Sequence, residues 1–249
     1  MRVLVVAAPL LGHVLPLVPF ATALVDGITL VAATATARPM REAALRLGVT
    51  TVPAPVLRLV TAPPSLVGRQ PGQPLRPVPH AGDGPVPAGL ERGGERPRLL
   101  VSHSTVPGPG GGTLRPVLAA VAGLDADVVV LRAPEGPLPA NVRPVGGVPL
   151  PALLPRADAI VHHSGAGTVL AALAFGMPQL AIPGPGDRRH NGELVARRGA
   201  GLTGAPVRST ITRLLADDGL RSAAAEVRAE IAAMPDPADV ATAVLAGTR

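Results

Sequence analysis

A histidine, a serine, a threonine and two glycines lie together in the segment His163-Ser-Gly-Ala-Gly-Thr168. Glycine lets the backbone approach a ligand closely, and hydroxyl and imidazole groups can donate hydrogen bonds to anions. These residue types at this spacing suit the binding of a phosphate or diphosphate group. A tight turn also needs glycine for conformational reasons alone, so the segment by itself leaves both interpretations open.

The residues around this turn predict the elements that would hold it. The apolar run 159–163 predicts a buried parallel strand, and apolar residues at helical spacing after Thr168 predict a helix that ends at Gly176. Residues 179–182 predict the next strand. The first N–H groups of a helix have no partners within it and lie at the positive end of its dipole. A helix that starts at this turn would therefore offer them to an anion.

The longer stretch 157–191 resembles the donor-binding motif of bacterial family-1 glycosyltransferases, through HSGAGT at 163–168, AFGMP at 174–178 and DRRHN at 187–191. These are GT-B enzymes that use nucleotide-diphosphate sugars, many of them in natural-product biosynthesis of the macrolide and enediyne type. The resemblance implies that the histidine and the turn hold the donor diphosphate, and that Asp187 binds hydroxyls of the donor sugar. Family members often have Asp-Gln where this chain has Asp187 followed by Arg188.

Two further segments carry the same resemblance. Ser104 and Thr105 stand where relatives have a Gly-Thr or Gly-Ser pair that helps to hold the donor phosphates, although the glycine-rich residues 107–113 are equally consistent with a flexible connection. The segment 141–149 resembles a Val-Gly-x-Val-Pro motif whose backbone, near Val148, touches the nucleotide base. The full set implied to bind the donor is Ser104, Thr105, Val148, His163, Ser164, Gly165, Ala166, Gly167, Thr168, Asp187 and Arg188.

A second histidine of interest, His13, follows a first strand predicted at residues 3–8. From spacing alone, it is interpreted as a loop histidine bonded to the backbone. The segment from Gly12 to Pro16 resembles the Gly-His-x-x-Pro loop of the same family, in which the histidine is the general base for the acceptor hydroxyl. A neutral imidazole can accept that proton near pH 7.

The alternation of short strands and helices predicts an α/β protein with parallel sheets, and the resemblance implies a GT-B-like fold with two Rossmann-like domains. Residues 1–60 would form the N-terminal, acceptor-side domain, truncated by an internal deletion of roughly 150 residues, about one domain. Residues 61–97 are rich in proline and glycine and are predicted to be a linker without packed elements. Residues 98–234 would bind the donor, and 235–249 would form a helix that returns to the N-terminal domain.

Composition excludes several other kinds of site. The 23 residues counted as Lys or Arg are all arginine, which excludes a Schiff-base or P-loop lysine, and the absence of Cys excludes disulfides and thiolate zinc sites. Apart from the adjacent His162 and His163, no two histidines have the spacing of metal ligands, so no metal is predicted, and no cofactor besides the nucleotide-sugar substrate. Because Phe20 and Phe175 are the only aromatic residues, the net charge of +6 does not predict nucleic-acid binding.

The apolar N-terminus is interrupted by Pro9 and Gly12, and no uninterrupted run reaches the ~18 apolar residues of a membrane span. We therefore expect a strand at this end, no membrane span and a cytoplasmic location. A three-stranded N-terminal remnant would leave one sheet edge uncovered, and a homodimer or residues 61–97 could cover it.

The function predicted from these features is transfer of a sugar from a UDP- or dTDP-linked donor to a hydroxyl of a small-molecule acceptor, with His13 as the general base. One alternative is a nucleotide-sugar-binding or auxiliary protein that has lost catalysis, and another is the product of a gene damaged by an internal deletion. A dinucleotide oxidoreductase is a weaker alternative. The segment Gly165-Ala-Gly167 lacks the third small residue of that fingerprint, and no ribose-binding acid follows at the required distance.

Overall fold

The structure, a computed structural model, describes most of the chain after residue 58 and the backbone of two short strands before it. The described ranges after residue 58 are 59–79, 88–91, 94–103 and 114–247. The two early strands are β1 (Val5–Ala7) and β2 (Leu30–Ala32), which pair in parallel. His13, Ser104 and Thr105 lie outside the described residues.

Residues 59–79 form packed elements, although the proline and glycine content predicted a linker over 61–97. The segment contains β3 (Leu59–Val60), the single-turn helix α1 (Pro64–Val67) and β4 (Gln73–Pro74), and its two strands pair in parallel. Leu66 is 8% exposed and Leu75 is fully buried, each in an apolar cluster with residues far along the chain. The structure thus corrects the linker prediction for 61–79, because two isolated leucines find long-range apolar partners.

A six-stranded sheet forms the centre of the C-terminal part of the chain. Its strands are β5 (Arg98–Ser102), β6 (Asp127–Leu131), β7 (Val142–Val145), β8 (Ala159–His162), β9 (Gln179–Ala181) and β10 (Gly201–Thr203). Their order across the sheet is β10-β9-β8-β5-β6-β7, and every neighbouring pair is parallel. The predicted parallel sheet and the strand predicted at 159–163 are confirmed.

The order of the strands reverses between β5 and β8. The chain runs outward from β5 through β6 and β7, and then returns to the other side of β5 as β8. In open parallel sheets, ligands bind in the crevice beyond the carboxyl ends of two such strands. Ser102 and His162 are Cα partners at the ends of the two strands and mark this crevice.

Helices cover both faces of the sheet. They are α2 (Leu114–Val121), α3 (Leu150–Leu153) with a following 3-10 turn (Leu154–Arg156), α4 (Ala166–Ala174), α5 (Arg188–Arg198), α6 (Arg208–Ala216), α7 (Asp218–Ala233) and α8 (Pro237–Gly247). Alternate residues of β5 divide between two apolar clusters: Leu99 and Val101 pack with α2 and α6, and Leu100 packs with α3 and α4. Because both faces of the four inner strands β9, β8, β5 and β6 are buried, these strands are nearly continuous apolar runs.

Residues 59–79 contact the last two helices, α7 and α8, and the residues between them. Leu75 lies in a buried cluster with residues of α8, and Arg76 forms an ion pair with Asp236. The backbone N–H and the hydroxyl of Ser65 both donate to the carboxylate of Glu230 in α7. None of the helices in the described part of the chain has both the length and the apolar character needed to cross a membrane.

Candidate functional site

The carboxyl ends of three neighbouring strands bring basic side chains to the crevice. His103 follows β5 and His163 follows β8. Nε2 of His103 donates to the carbonyl oxygen of Arg132 at 2.9 Å. Arg132 follows β6 and has a left-handed backbone, with φ of 51°. Basic groups from β5, β6 and β8 therefore meet at one edge of the sheet.

The turn after His163 is held from inside by Ser164, a fully buried residue whose left-handed backbone has φ of 61°. Its N–H donates to Nδ1 of His162 at 3.0 Å, and its hydroxyl donates to the carbonyl oxygen of Ile182 at 2.8 Å. Its own carbonyl oxygen accepts from Nδ2 of Asn191 at 3.0 Å. Each polar group of Ser164 is thus bonded within the protein. The residue fixes the turn, and its predicted contact with a donor stays a prediction.

Helix α4 begins directly after this turn. Gly165 is its N-cap, and the first helical hydrogen bond runs from the N–H of Val169 to the carbonyl oxygen of Gly165 at 3.0 Å. The N–H groups of Ala166, Gly167 and Thr168 precede that bond, so they have no acceptor within the helix. Residues 165–168 are half-buried. The structure therefore places the predicted turn residues at the start of a nine-residue helix at the switch point, which is a favourable location for a phosphate.

The imidazole ring of His163 lies over the turn. A Cβ atom at Gly165 would be 2.5 Å from Nε2 of His163, so a larger residue would displace the ring. The backbone of Gly165, with φ of −65° and ψ of 138°, is open to any residue. The need for glycine at this position therefore comes from the ring and not from the backbone.

His163 is held in its neutral form. Burial is the main reason that its pKa is lowered to about 4. Arg188, His103 and Arg132 lower this pKa further through their electrostatic effects, and Asp187 acts in the opposite direction. Nδ1 of His163 is buried and has no hydrogen-bonding partner in the described part of the chain. A neutral imidazole still has one N–H to donate, so His163 retains hydrogen-bonding capacity for a ligand.

Asp187 and Asn191 connect the end of the motif to the turn. Asp187 is the N-cap of α5, and its Oδ2 accepts from Nδ2 of Asn191 at 3.0 Å. Because the same Nδ2 group also donates to Ser164, the carboxylate of Asp187 is fixed relative to the turn. Arg188 lies against Gly184, where a Cβ atom would be 2.9 Å from its Cδ. The predicted residues Asp187 and Arg188 thus lie beside the turn.

Val148 lies farther along the same edge of the sheet. It follows β7, and its side chain is 9% exposed in an apolar cluster with Leu153. The preceding Gly147 is exposed and has φ of 66°. The contact predicted between the backbone near Val148 and a nucleotide base stays a prediction, and so do the roles assigned to the undescribed residues.

The structure adds residues that the sequence analysis did not assign to the site. His103 and Arg132 could have been found from the order of parallel strands, because each directly follows an apolar run that is typical of a buried strand. Asn191 could have been found from its place in the motif. His162 and Gln179 gave no such signal, yet Nε2 of His162 and Oε1 of Gln179 are joined at 2.7 Å beneath the turn.

A cavity of about 240 Å³ lies at the opposite end of the sheet, beyond the amino ends of β5, β6 and β7. Its basic residues are Arg96, Arg98 and Arg143. Arg98 and Arg143 donate to backbone carbonyl groups, mostly those of residues 88–91, and Arg96 pairs with Asp127. These donors are therefore used within the protein. Within the described ranges, no three His, Cys, Asp or Glu side chains are grouped as a metal site would need.

Comparison with known proteins identifies the family. Residues 115–246 match the family described as "Erythromycin biosynthesis protein CIII-like, C-terminal domain". The elloramycin glycosyltransferase ElmGT of Streptomyces olivaceus is 40% identical over 191 residues, which are 72% of this chain and 50% of that protein. The chain spans about half the length of the curated relatives that it matches.

Solved structures show the same fold. The glycosyltransferase SnogD from Streptomyces nogalater is 35% identical with a TM-score of 0.71, over 98% of this chain and 72% of that one. The spinosyn rhamnosyltransferase SpnG, in complex with thymidine diphosphate, is 27% identical with a TM-score of 0.70, over 91% of this chain and 69% of that one. SpnG has also been solved with spinosyn aglycone. The predicted α/β fold of GT-B type is confirmed, and the chain belongs to the family described as erythromycin biosynthesis protein CIII-like, C-terminal domain.

Proposed function

We propose that this protein binds a nucleotide-diphosphate sugar, with the diphosphate at the start of α4, and transfers the sugar to a hydroxyl of a small-molecule acceptor. One observation carries the proposal. The neutral imidazole of His163, whose buried Nδ1 has no partner among the described residues, lies over the first turn of α4 at the switch point of the sheet. The ring and the N–H groups of Ala166, Gly167 and Thr168 together supply donors for a diphosphate.

The same donors serve both binding and the chemical step. Negative charge develops on the diphosphate as the bond to the sugar breaks, so donors that are already in position stabilise the leaving group. Asp187, whose carboxylate is oriented by Asn191, would accept hydrogen bonds from hydroxyls of the sugar. Arg188 adds a positive charge close to His163 and strengthens the attraction for the diphosphate.

We take thymidine diphosphate as the nucleotide part of the donor, because the similar SpnG was solved with thymidine diphosphate. The acceptor would be a small molecule with a free hydroxyl, by similarity to the aglycone complex of SpnG. His13 would remove the proton of that hydroxyl, as its Gly-His-x-x-Pro segment implies.

Calorimetric titration with dTDP and UDP tests the donor site. We expect the wild-type protein to bind dTDP, and His163→Ala to bind it roughly 10- to 100-fold more weakly, because a hydrogen bond to a charged phosphate is lost. His190→Ala, which removes an exposed histidine of α5, is the matched control and should bind like wild type. A folded wild-type protein that binds neither nucleotide would contradict the proposal.

The sugar-binding part is tested with a dTDP-sugar compared with dTDP. Asp187→Ala should weaken binding of the dTDP-sugar and leave binding of dTDP nearly unchanged, because the carboxylate is assigned to sugar hydroxyls. Asp239→Ala, at an exposed position of α8, is its control. If Asp187→Ala reduced the affinity for both ligands equally, Asp187 would instead stabilise the conformation of the turn.

A second candidate is a nucleotide-sugar-binding protein that does not catalyse transfer. Measuring the release of dTDP from a dTDP-sugar in the presence of an acceptor distinguishes a transferase from a binding protein without catalysis. If the protein is a transferase, His13→Ala should abolish turnover and leave dTDP binding unchanged. A wild-type protein that binds dTDP but turns over no donor would favour the second candidate.

A further inference from the structure

His162 lies directly beneath the turn and is bonded on both sides of its ring. The residue is 1% exposed. Its Nδ1 faces the N–H of Ser164 at 3.0 Å, and its Nε2 faces Oε1 of Gln179 at 2.7 Å. A backbone N–H can only donate, so Nδ1 must be the acceptor, and the proton must be on Nε2, from which it is donated to Gln179. The contacts thus define a single neutral tautomer.

Gln179, the first residue of β9, is in turn fixed by the neighbouring strand. It is fully buried, and Gly201 of β10 is its Cα partner. A Cβ atom at Gly201 would be 2.2 Å from the carbonyl oxygen of Gln179 and 2.9 Å from its Cγ. Because glycine has no side chain, Gly201 leaves the space that Gln179 occupies. A continuous set of contacts runs from β10 through Gln179 and His162 to the turn.

These contacts end at the backbone N–H of Ser164, a residue whose backbone conformation is unfavourable. Ser164 has φ of 61°, a left-handed conformation that is unfavourable for residues other than glycine. This conformation directs the chain from β8 into α4, and it sets where the N–H groups of residues 166–168 lie. The acceptor on His162 holds that N–H, while Ile182 and Asn191 hold the other polar groups of Ser164.

We propose that His162 is a positioning residue for the donor diphosphate: its Nδ1 holds the N–H of Ser164, and Gln179 fixes the tautomer that makes this bond. The inference rests on the proposed function, because it assigns the turn to the diphosphate. His162 itself touches no ligand. Burial lowers the pKa of His162 to about 3, although the hydrogen bond that Nε2 donates to Gln179 acts in the opposite direction, so Nδ1 remains an acceptor throughout the neutral range.

Two substitutions at the same position separate the two bonds of the ring. In His162→Asn, the side-chain oxygen takes the place of Nδ1 and keeps an acceptor for Ser164. In His162→Gln, the amide nitrogen takes the place of Nε2, which keeps the donor for Gln179 and removes the acceptor. Both variants are neutral and polar, and they differ by one methylene group, so each is the control for the other.

The measurement is the affinity of each folded variant for dTDP and for thymidine, by calorimetry and by NMR titration. We expect His162→Asn to bind dTDP within about threefold of wild type, and His162→Gln to bind it about tenfold more weakly, the effect of one lost hydrogen bond. Thymidine has no phosphates, so its affinity should be the same in all three proteins. A general loss of structure would lower both affinities. Equal dTDP affinities for the two variants, or equal losses for dTDP and thymidine, would overturn the proposal.

The tautomer can be tested in the wild-type protein, without any substitution. A long-range ¹H–¹⁵N spectrum should show His162 neutral with its proton on Nε2 at pH 6, and addition of dTDP should shift the amide signals of Ser164 and of residues 166–168. A proton on Nδ1 would contradict the proposal whether or not dTDP binds. In another outcome, the proton is found on Nε2 as expected while no nucleotide binds. That result would contradict the proposed function and the role of His162 toward the diphosphate. It would leave the hydrogen bond between His162 and Ser164 established.

Discussion

The two ends of the C-terminal sheet both carry clustered basic side chains, but these are used in different ways. At the amino ends of β5–β7, the guanidinium groups of Arg98 and Arg143 donate to backbone carbonyl groups, and Arg96 pairs with Asp127. At the carboxyl ends, the ring of His163 lies above the open end of a helix, and its buried Nδ1 has no partner within the part of the chain that the structure describes. The number of positive charges therefore does not by itself distinguish a ligand site from a structural cluster. The basic groups at the amino ends are used within the protein, whereas the first N–H groups of α4 have no acceptor within the helix.

The largest effect on the carboxyl-end site should come from Gly165→Ala. The backbone of Gly165 accepts alanine, but the new Cβ would be 2.5 Å from Nε2 of His163 and would displace the ring. We expect roughly 100-fold weaker dTDP binding with little change in unfolding free energy, because a charged hydrogen bond is lost and the turn is disturbed. Calorimetry and urea unfolding measure the two quantities.

The matched control for this substitution is Gly94→Ala at the amino end, where the added Cβ would make an ordinary contact of 3.5 Å with Oδ2 of Asp127. It should change neither dTDP binding nor stability. If Gly165→Ala bound dTDP as well as this control did, the position of the His163 ring would have no part in binding.

At the amino end, Arg98→Met should act on stability and not on binding. Its guanidinium group donates to the carbonyl oxygens of Leu90, Glu91 and Arg156, at 3.0 to 3.2 Å. Loss of these donors should reduce the free energy of unfolding by about 2 kcal/mol, because half-buried carbonyl groups lose their partners. Urea unfolding measures this change, and Arg98→Lys should recover part of it. A folded Arg98→Met protein with tenfold weaker dTDP binding would remove the distinction between the two ends.

Acid should lower the stability of the protein through a buried histidine at the carboxyl end. The unfolded chain binds a proton at a histidine below about pH 6.5, whereas folded His162, with a pKa of about 3, does not. Acidification therefore favours the unfolded state, and the His162 contribution lowers the free energy of unfolding by about 1.4 kcal/mol per pH unit below pH 6.5, until the folded protein is protonated near pH 3. Urea unfolding from pH 7 to pH 5 measures this slope. His162→Asn should reduce it by that amount, and an unchanged slope would show that His162 is protonated in the folded protein.

The smallest effect should come from Arg96→Ala. Arg96 and Asp127 form an ion pair, but their side chains are 49% and 34% exposed. Exposed pairs contribute less than about 1 kcal/mol, so urea unfolding should show a change below that size, and dTDP binding should not change. A loss comparable to that of Arg98→Met would mean that the ion pair, and not the bonds to backbone carbonyl groups, holds this end together.

The parts of the fold that were predictable have local causes. Val128, Val129 and Val130 are consecutive apolar residues, and a run of this kind has few alternatives to a buried parallel strand. The glycine turn and the helix after it were predictable for the same reason, because Gly165 and Gly167 stand directly after an apolar run. The order of the elements then sufficed to place the turn at the carboxyl edge of the sheet.

The parts that were not predictable depend on distant residues. Leu66 and Leu75 look isolated in a segment rich in proline, and their apolar partners lie on helices near the C-terminus. Gln179 reads only as the start of a strand, and nothing local indicates that its side chain points to His162. The inward orientation of Ser164 follows from its left-handed backbone, which is unusual for serine, so the sequence favoured a ligand-facing hydroxyl.

The contacts of α1 and β4 have a consequence for anyone who recombines this chain with its relatives. A chimera joined at residue 98, where the donor-binding sequence pattern begins, would discard Leu66 and Leu75 and open two apolar surfaces on the retained half. It would also leave Glu230 and Asp236 without Ser65 and Arg76. A crossover placed before Leu59 keeps these contacts within one parental sequence, so the exchangeable unit begins about forty residues earlier than the sequence pattern suggests.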